Sequence, residues 1–137
     1  MNKGYRGYIG SRPYQSGDYP QQIQNLVIRT YCQQHKLGYL LSATEYAMPG
    51  CYMMLEEVLN SLEVIDGIVL FSLFMLPENK LNREKIYDKI LMANKTLHAA
   101  FESIQLQADK DIHVIEELLS VHNIVANQNL ITMLQNE

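Results

Sequence analysis

Basic residues are scarce in this chain. Eleven lysines and arginines stand against 15 aspartates and glutamates among 137 residues, a formal net charge of −4. They form no cluster, and a nucleic-acid surface needs a basic face, so no nucleic-acid partner is expected. Long apolar runs are missing too. The longest, Ile68–Met75 with Ser72 inside it, is far too short to span a bilayer, which argues against membrane insertion. No basic segment followed by an apolar one opens the chain, so no secretory signal is read. The expectation is a cytoplasmic protein with reduced thiols. Its two cysteines, Cys32 and Cys51, have neither C-x-x-C nor Cys/His spacing, and His35, His98, His113 and His122 form no ligand pattern. No metal centre is expected, and nothing names a cofactor. Neither a G-x-S-x-G elbow nor a P-loop is present.

What remains is an ordinary globular composition, 47% hydrophobic and 19% charged, which excludes disorder. The length predicts a single α/β domain over residues 1–137, with C-terminal helices over 109–136. Gly4–Gly10 reads as a first strand, followed by the turn formers SRPYQSGD. A helix capped by Asp18 or Tyr19 then carries Ile23, Leu26, Val27, Thr30 and Tyr31 at helical spacing, with Cys32 as a small buried hydrophobe near that stripe. Leu37–Ala43 is a second strand and 51–62 a second helix. Ile65–Phe71, nearly unbroken apolar, is a strand covered on both faces. A third helix, capped by Asn82, carries Ile86, Tyr87, Ile90 and Leu91, and Thr96–Phe101 is the fourth strand. Helical patterns resume at Asp109 and, more weakly, at Gln128–Leu134. Strands alternating with helices require crossover connections, hence a three-layer fold around a mainly parallel, four-stranded sheet, Rossmann-like in plan.

In such a sheet the C-terminal strand ends share one edge, where open α/β folds bind ligands. Here that edge gathers Ser11 and Arg12, Thr44 and Glu45, Ser72, and Glu102 and Ser103. The first helix also starts there, with N–H groups that favour an anion. Arg12 is the natural bidentate partner for a phosphate or carboxylate, with Gln21, Gln22 and Asn25 in the first turns and Arg29 lower on the same helix. Polar strand ends equally suit plain solvated loops. Ser11, Glu45 and Glu102 are the candidates for chemistry, although Ser11 has no base near it in sequence. The two glutamates read either as an acid/base pair or as salt-bridge partners of Arg12 and Arg29. Leu118, Leu119, Val121, Ile124 and Val125 cover more than one face of the last long helix, an excess that predicts a partner, most simply a second copy.

Two resemblances follow from these segments. "RGYIGS", then Gln24, Ile28 and Tyr31 in "QNLVIRTYC", "MLEEVLNSLEVIDGIVLFSLFML" and "ANKTLHAAFES" resemble the start, middle and end of the serine recombinase (resolvase/invertase) catalytic domain over about residues 5–105. That resemblance implies a resolvase-like fold. Its arginine pair falls on "LFMLPE", leaving Met75 and Glu78, and the serine aligns only when one residue is skipped. Charge stabilisation of phosphoryl transfer leans on those guanidiniums, so the DNA chemistry does not carry over. "RGYIGSRPY", "PQQIQNLVIRTYC", "YLLSATEYAM" and "FSLFMLPEN" resemble the sporadic carbohydrate cluster protein family of bacterial surface-polysaccharide gene clusters. That resemblance implies a setting in cell-surface carbohydrate assembly. The expected function is then binding of a sugar, sugar phosphate or nucleotide sugar at the strand-end edge. The alternative is a non-catalytic interaction subunit with a recombinase-like fold. Whether a reaction is catalysed stays open.

Overall fold

The computed structural model describes residues 2–11 and 18–135, with the backbone alone for 123–131 and 133. Its centre is a five-stranded sheet of β1 (Tyr5–Gly10), β2 (Tyr39–Glu45), β3 (Gly67–Leu70), β4 (Thr96–Ala99) and β5 (Ile104–Leu106), in the order β2-β1-β3-β4-β5. The first four strands are parallel, as the alternation with helices demands. β5 is antiparallel and pairs with β4 through a tight turn, Ser103 taking a φ of 55°. The four-stranded expectation is corrected by this edge strand. Its three residues are too few to show a period of two.

Helices cover both faces. Side chains alternate along β1, so Tyr5 and Tyr8 point to opposite sides. Tyr5 meets the ring of His98, which α1 (Gln21–Gln34) reaches through Tyr31; Tyr8 meets Glu45, which touches the amides of α2 (Met53–Leu59). α3 (Lys80–Met92) packs beside α2, and α4 (Asp109–Gln135) joins α3 through a forked ion pair. There Arg83 places Nε and a terminal nitrogen on the two Glu116 oxygens at 2.9 and 2.7 Å, and the Tyr87 hydroxyl donates to the same carboxylate at 2.6 Å. The sheet interior is wholly apolar at Ile68, Val69 and Leu70, as the unbroken run implies.

Several boundaries move for local reasons. α1 opens at Gln21 with Pro20 in the capping position and no side-chain cap, in place of Asp18 or Tyr19. It ends where Lys36 turns to a φ of 57° and Leu37 N–H returns to the Cys32 carbonyl, which delays β2 to Tyr39. β2 then continues through Thr44 and Glu45, carrying one extra residue opposite β1 between Leu40 and Ala43. Ser42 closes over Gly7 there; a Cβ on Gly7 would collide with the Ser42 hydroxyl. α3 is capped by Asn79, whose Oδ1 accepts from Asn82 N–H, so Asn82 is the recipient and not the cap. The weak piece at Gln128–Leu134 is the end of one 27-residue helix, since no Gly or Pro interrupts 109–135.

Candidate functional site

The parallel strands place the ends of β1 to β4 on one edge, together with the start of α1. Gln24, 1% exposed, organises this edge. Its Oε1 accepts from Gly10 N–H at 3.0 Å, and its Nε2 donates to the carbonyls of Gly10 at 2.9 Å and Tyr19 at 2.7 Å. Burying a primary amide requires such satisfaction. Gln24 enters the sequence reading only through the recombinase resemblance; its signal is a polar residue at i, i+4 and i+7 with the buried Ile28 and Tyr31. Ser11 sits just beyond, exposed, donating to the Glu45 carbonyl at 3.2 Å. Arg12 lies outside the described residues.

Glu45 is 2% exposed and faces α2. Its carboxylate accepts from Met54 N–H and Leu55 N–H at 3.1 Å, from Tyr46 N–H at 3.1 Å and from the Tyr8 hydroxyl at 2.8 Å. It thereby supplies the cap that Tyr52 does not provide at the start of α2. Burial pushes the Glu45 carboxyl up, but donation from Met54, Tyr8, Leu55 and Tyr46 outweighs this and holds it below its ordinary value.

Glu102 does similar work beyond β4. It accepts from the Ser72 hydroxyl at 2.7 Å and from Leu73 N–H at 2.8 Å, while Ser72 accepts from Phe74 N–H at 3.2 Å. Together they close the single 3-10 turn Leu73–Met75 after β3. β1 and β3 stand between β2 and β4, so the two glutamates are separated laterally by roughly 14 Å at ordinary strand spacing. The described partners of both are amides and hydroxyls, with the Cys51 thiol as a further, longer donor to Glu45 at 3.7 Å; neither has a described ion pair with Arg29.

The remaining candidates spread out. Gln21 and Gln22 are exposed at the edge, and Thr44 is exposed on β2. Asn25 points back over the sheet, accepting from the Tyr39 hydroxyl at 3.4 Å. Arg29 is exposed about 12 Å of helix rise below Gln21. The edge thus ties Ser11 to Glu45, with Gln24 holding the adjoining Gly10, and ties Ser72 to Glu102 in a separate pair.

Between and beyond these sets the surface turns apolar. Tyr19, Phe71 and Phe101 form an aromatic cluster with ring centroids 5.3 to 5.9 Å apart, and Phe101 is 52% exposed. Phe101, Phe74, Val114, Leu118, Val121 and His122 then line a groove of about 680 Å³ along α4, with Glu102 and Glu117 at its margin. The rings of His122 and Phe74 meet at a tilt, their centroids 4.3 Å apart. The surplus apolar face read from α4 is present at Val121, 55% exposed, and at half-buried Leu118, whereas Leu119 joins the core. Ile124 and Val125 lie outside the described side chains.

Under α1 a second polar chain is sealed from solvent. His98 is 5% exposed, with Nδ1 2.7 Å from the Tyr31 hydroxyl and Nε2 3.0 Å from Thr96 Oγ1. Burial, with nearby His35, pushes its pKa down to about 4. Next to Tyr31 on α1, Cys32 is a buried free thiol, pushed up by burial, which disfavours the thiolate. Among the described residues, no three His, Cys, Asp or Glu side chains gather as a metal site, and no helix is long and apolar enough to cross a membrane.

This architecture is similar to that of solved recombinase domains. A resolvase family site-specific recombinase from Streptococcus pneumoniae superposes with a TM-score of 0.60 at 10% identity, covering 96% of this chain and 97% of that one. The N-terminal catalytic domain of TP901-1 integrase superposes with a TM-score of 0.56 at 13% identity, covering 90% and 98%. What they share with this chain is the fold. No family model and no curated protein matches the sequence. The resolvase-like expectation therefore stands at the level of fold, and the carbohydrate cluster resemblance has no support from these comparisons.

Proposed function

We propose that this chain is a non-catalytic interaction module with a recombinase-like fold, and that it pairs with a second copy of itself along α4. The apolar groove beside α4 is the observation that carries this reading. Phe101, Val114 and Val121 are each about half exposed there, at the edge of an otherwise well-sealed core. A contiguous apolar surface of that kind marks an interaction site, and a two-fold axis lets one patch serve both partners. α4 is about 40 Å long at ordinary helical rise, with Leu134 still 62% exposed near its end, so it offers length for a paired face. The polar groups that would perform chemistry support the same reading, because Glu45, Ser72 and Glu102 already satisfy main-chain amides. The two solved relatives are by name a recombinase and an integrase, yet Met75 and Glu78 stand where the resemblance would place arginines, and Met75 is buried.

Light scattering on a concentration series tests this. A dimer is expected, and Val121→Asp with Phe101→Asp shifts it to monomer without loss of far-UV helical signal. A wild-type monomer at every concentration overturns the reading.

A second reading keeps the carbohydrate setting: a sugar or nucleotide sugar rests on the half-exposed face of Phe101, beside Glu102 and the start of α1. An aromatic wall with a few polar groups at an open strand edge favours it. Thermal shift against a panel of nucleotide sugars, wild type beside Phe101→Ala and Arg12→Ala, decides it; an unmoved melting temperature throughout removes it.

A further inference from the structure

We infer that a second surface, the groove between α2 and α3, docks an acidic peptide segment with an aliphatic anchor. Each helix turns a stripe of i, i+3, i+4 and i+7 spacing toward this gap: Tyr52, Leu55, Glu56 and Leu59 from one side, Asn82, Lys85, Ile86 and Lys89 from the other. Of these, Leu55, Leu59 and Ile86 are buried, while Glu56, Asn82, Lys85 and Lys89 stand exposed along the gap. α2 has only two turns against more than three in α3, so the short helix leaves the long one partly uncovered. The resulting groove holds about 200 Å³, with buried Leu55, Leu59 and Ile86 at its floor. That suits one or two aliphatic side chains.

Charge selects the occupant. Lys85 and Lys89 lie one turn apart, exposed, on the same stripe. Like charges at that spacing repel in the free chain. The described ion pairs leave both of them out, although the chain has an excess of acid. Carboxylates of a bound segment, one helical turn apart, would relieve that repulsion while its aliphatic side chain enters the groove. Glu56 on the opposite wall disfavours a continuous polyanion, so a peptide fits better than a nucleic-acid backbone.

Selection of a random peptide library displayed on phage, against the full chain and against Lys85→Glu/Lys89→Glu, tests this independently of the α4 groove. The expected result is enrichment of peptides combining Asp or Glu with Leu or Ile. Their affinity should fall by about tenfold or more in the double variant and with added salt, and persist in Lys85→Arg/Lys89→Arg. Absence of enrichment, enriched peptides without acidic excess, or equal capture by the Lys→Glu variant overturns the proposal. So does duplex DNA that binds the wild type and is lost from the variant, which would reassign the surface to nucleic acid. Circular dichroism of the variants guards against misfolding, and self-association through α4 is unaffected in either case.

Discussion

Glu45 and Glu102 lie on the same sheet edge, at β2 and beyond β4 with two strands between, and do the same kind of work, yet their surroundings differ. Glu45 is sealed beneath α2 with three amides, the Tyr8 hydroxyl and the Cys51 thiol donating to it, whereas Glu102 is half-buried, holds one amide and one hydroxyl, and borders the apolar groove. The lesson is that a polar strand end in an α/β fold has two possible duties. Where a short helix begins without its own cap, the strand's carboxylate provides one. Where the following turn is a single 3-10 turn, the carboxylate braces it from the surface and leaves apolar side chains exposed beside it.

Replacing Glu45 gives the largest effect that sharpens this contrast. Glu45→Ala leaves the amides of Met54 and Leu55 and the Tyr8 hydroxyl without their acceptor, and a loss of about 3 kcal/mol is expected in urea unfolding. Its carboxyl is held below the ordinary value, so its stabilisation is present at neutral pH. That stabilisation is lost as the pH falls below about 4.5 and through the folded value. A neutral outcome for Glu45→Ala would show that α2 caps itself by other means.

His98 supplies an internal control of opposite chemistry and higher pH window. Its ordinary value of 6.5 drops to about 4 in the fold, so the unfolded chain binds the proton first. Stability is complete above 6.5 and declines as the pH falls toward 4, by at most about 1.4 kcal/mol per unit. In His98→Gln, unfolding free energy should vary less over this range than in the wild type, and an unchanged slope would remove His98 as its source. The smallest effect belongs to Glu102→Ala, about 1 kcal/mol, because solvent can replace a half-buried acceptor. If Glu102→Ala proves as damaging as Glu45→Ala, the distinction between the two carboxylates disappears.

The element order as far as β4 and the parallel direction of β1 to β4 were legible because hydrophobic period and crossover chirality are local or nearly so. The stripe of α1 was legible only at Tyr31 and Cys32: Ile23, Leu26 and Thr30 are exposed, and Gln24 and Ile28 take the buried positions, because a polar glutamine holds the place an apolar period would mark. The edge itself was also legible, and Ser11 does lie against Glu45. The role of Glu45 was not, since two of its amides come from residues nine and ten positions later, where the helix expected over 51–62 starts without a capping residue of its own. β5 was missed because its turn uses Ser103 at positive φ without a Gly, Asn or Asp to announce it. The groove along α4 combines residues from 74 to 122, a juxtaposition that only the packed sheet creates.

The amide of Gln24 grips Gly10 and Tyr19 with one side chain, so the last residue of β1 and the residue before the Pro20 cap of α1 are held at a single point. Strand and helix thus share one anchor, and a change at Gln24 acts on both elements at once: without its amide, Gly10 N–H loses an acceptor and the two carbonyls lose a donor together.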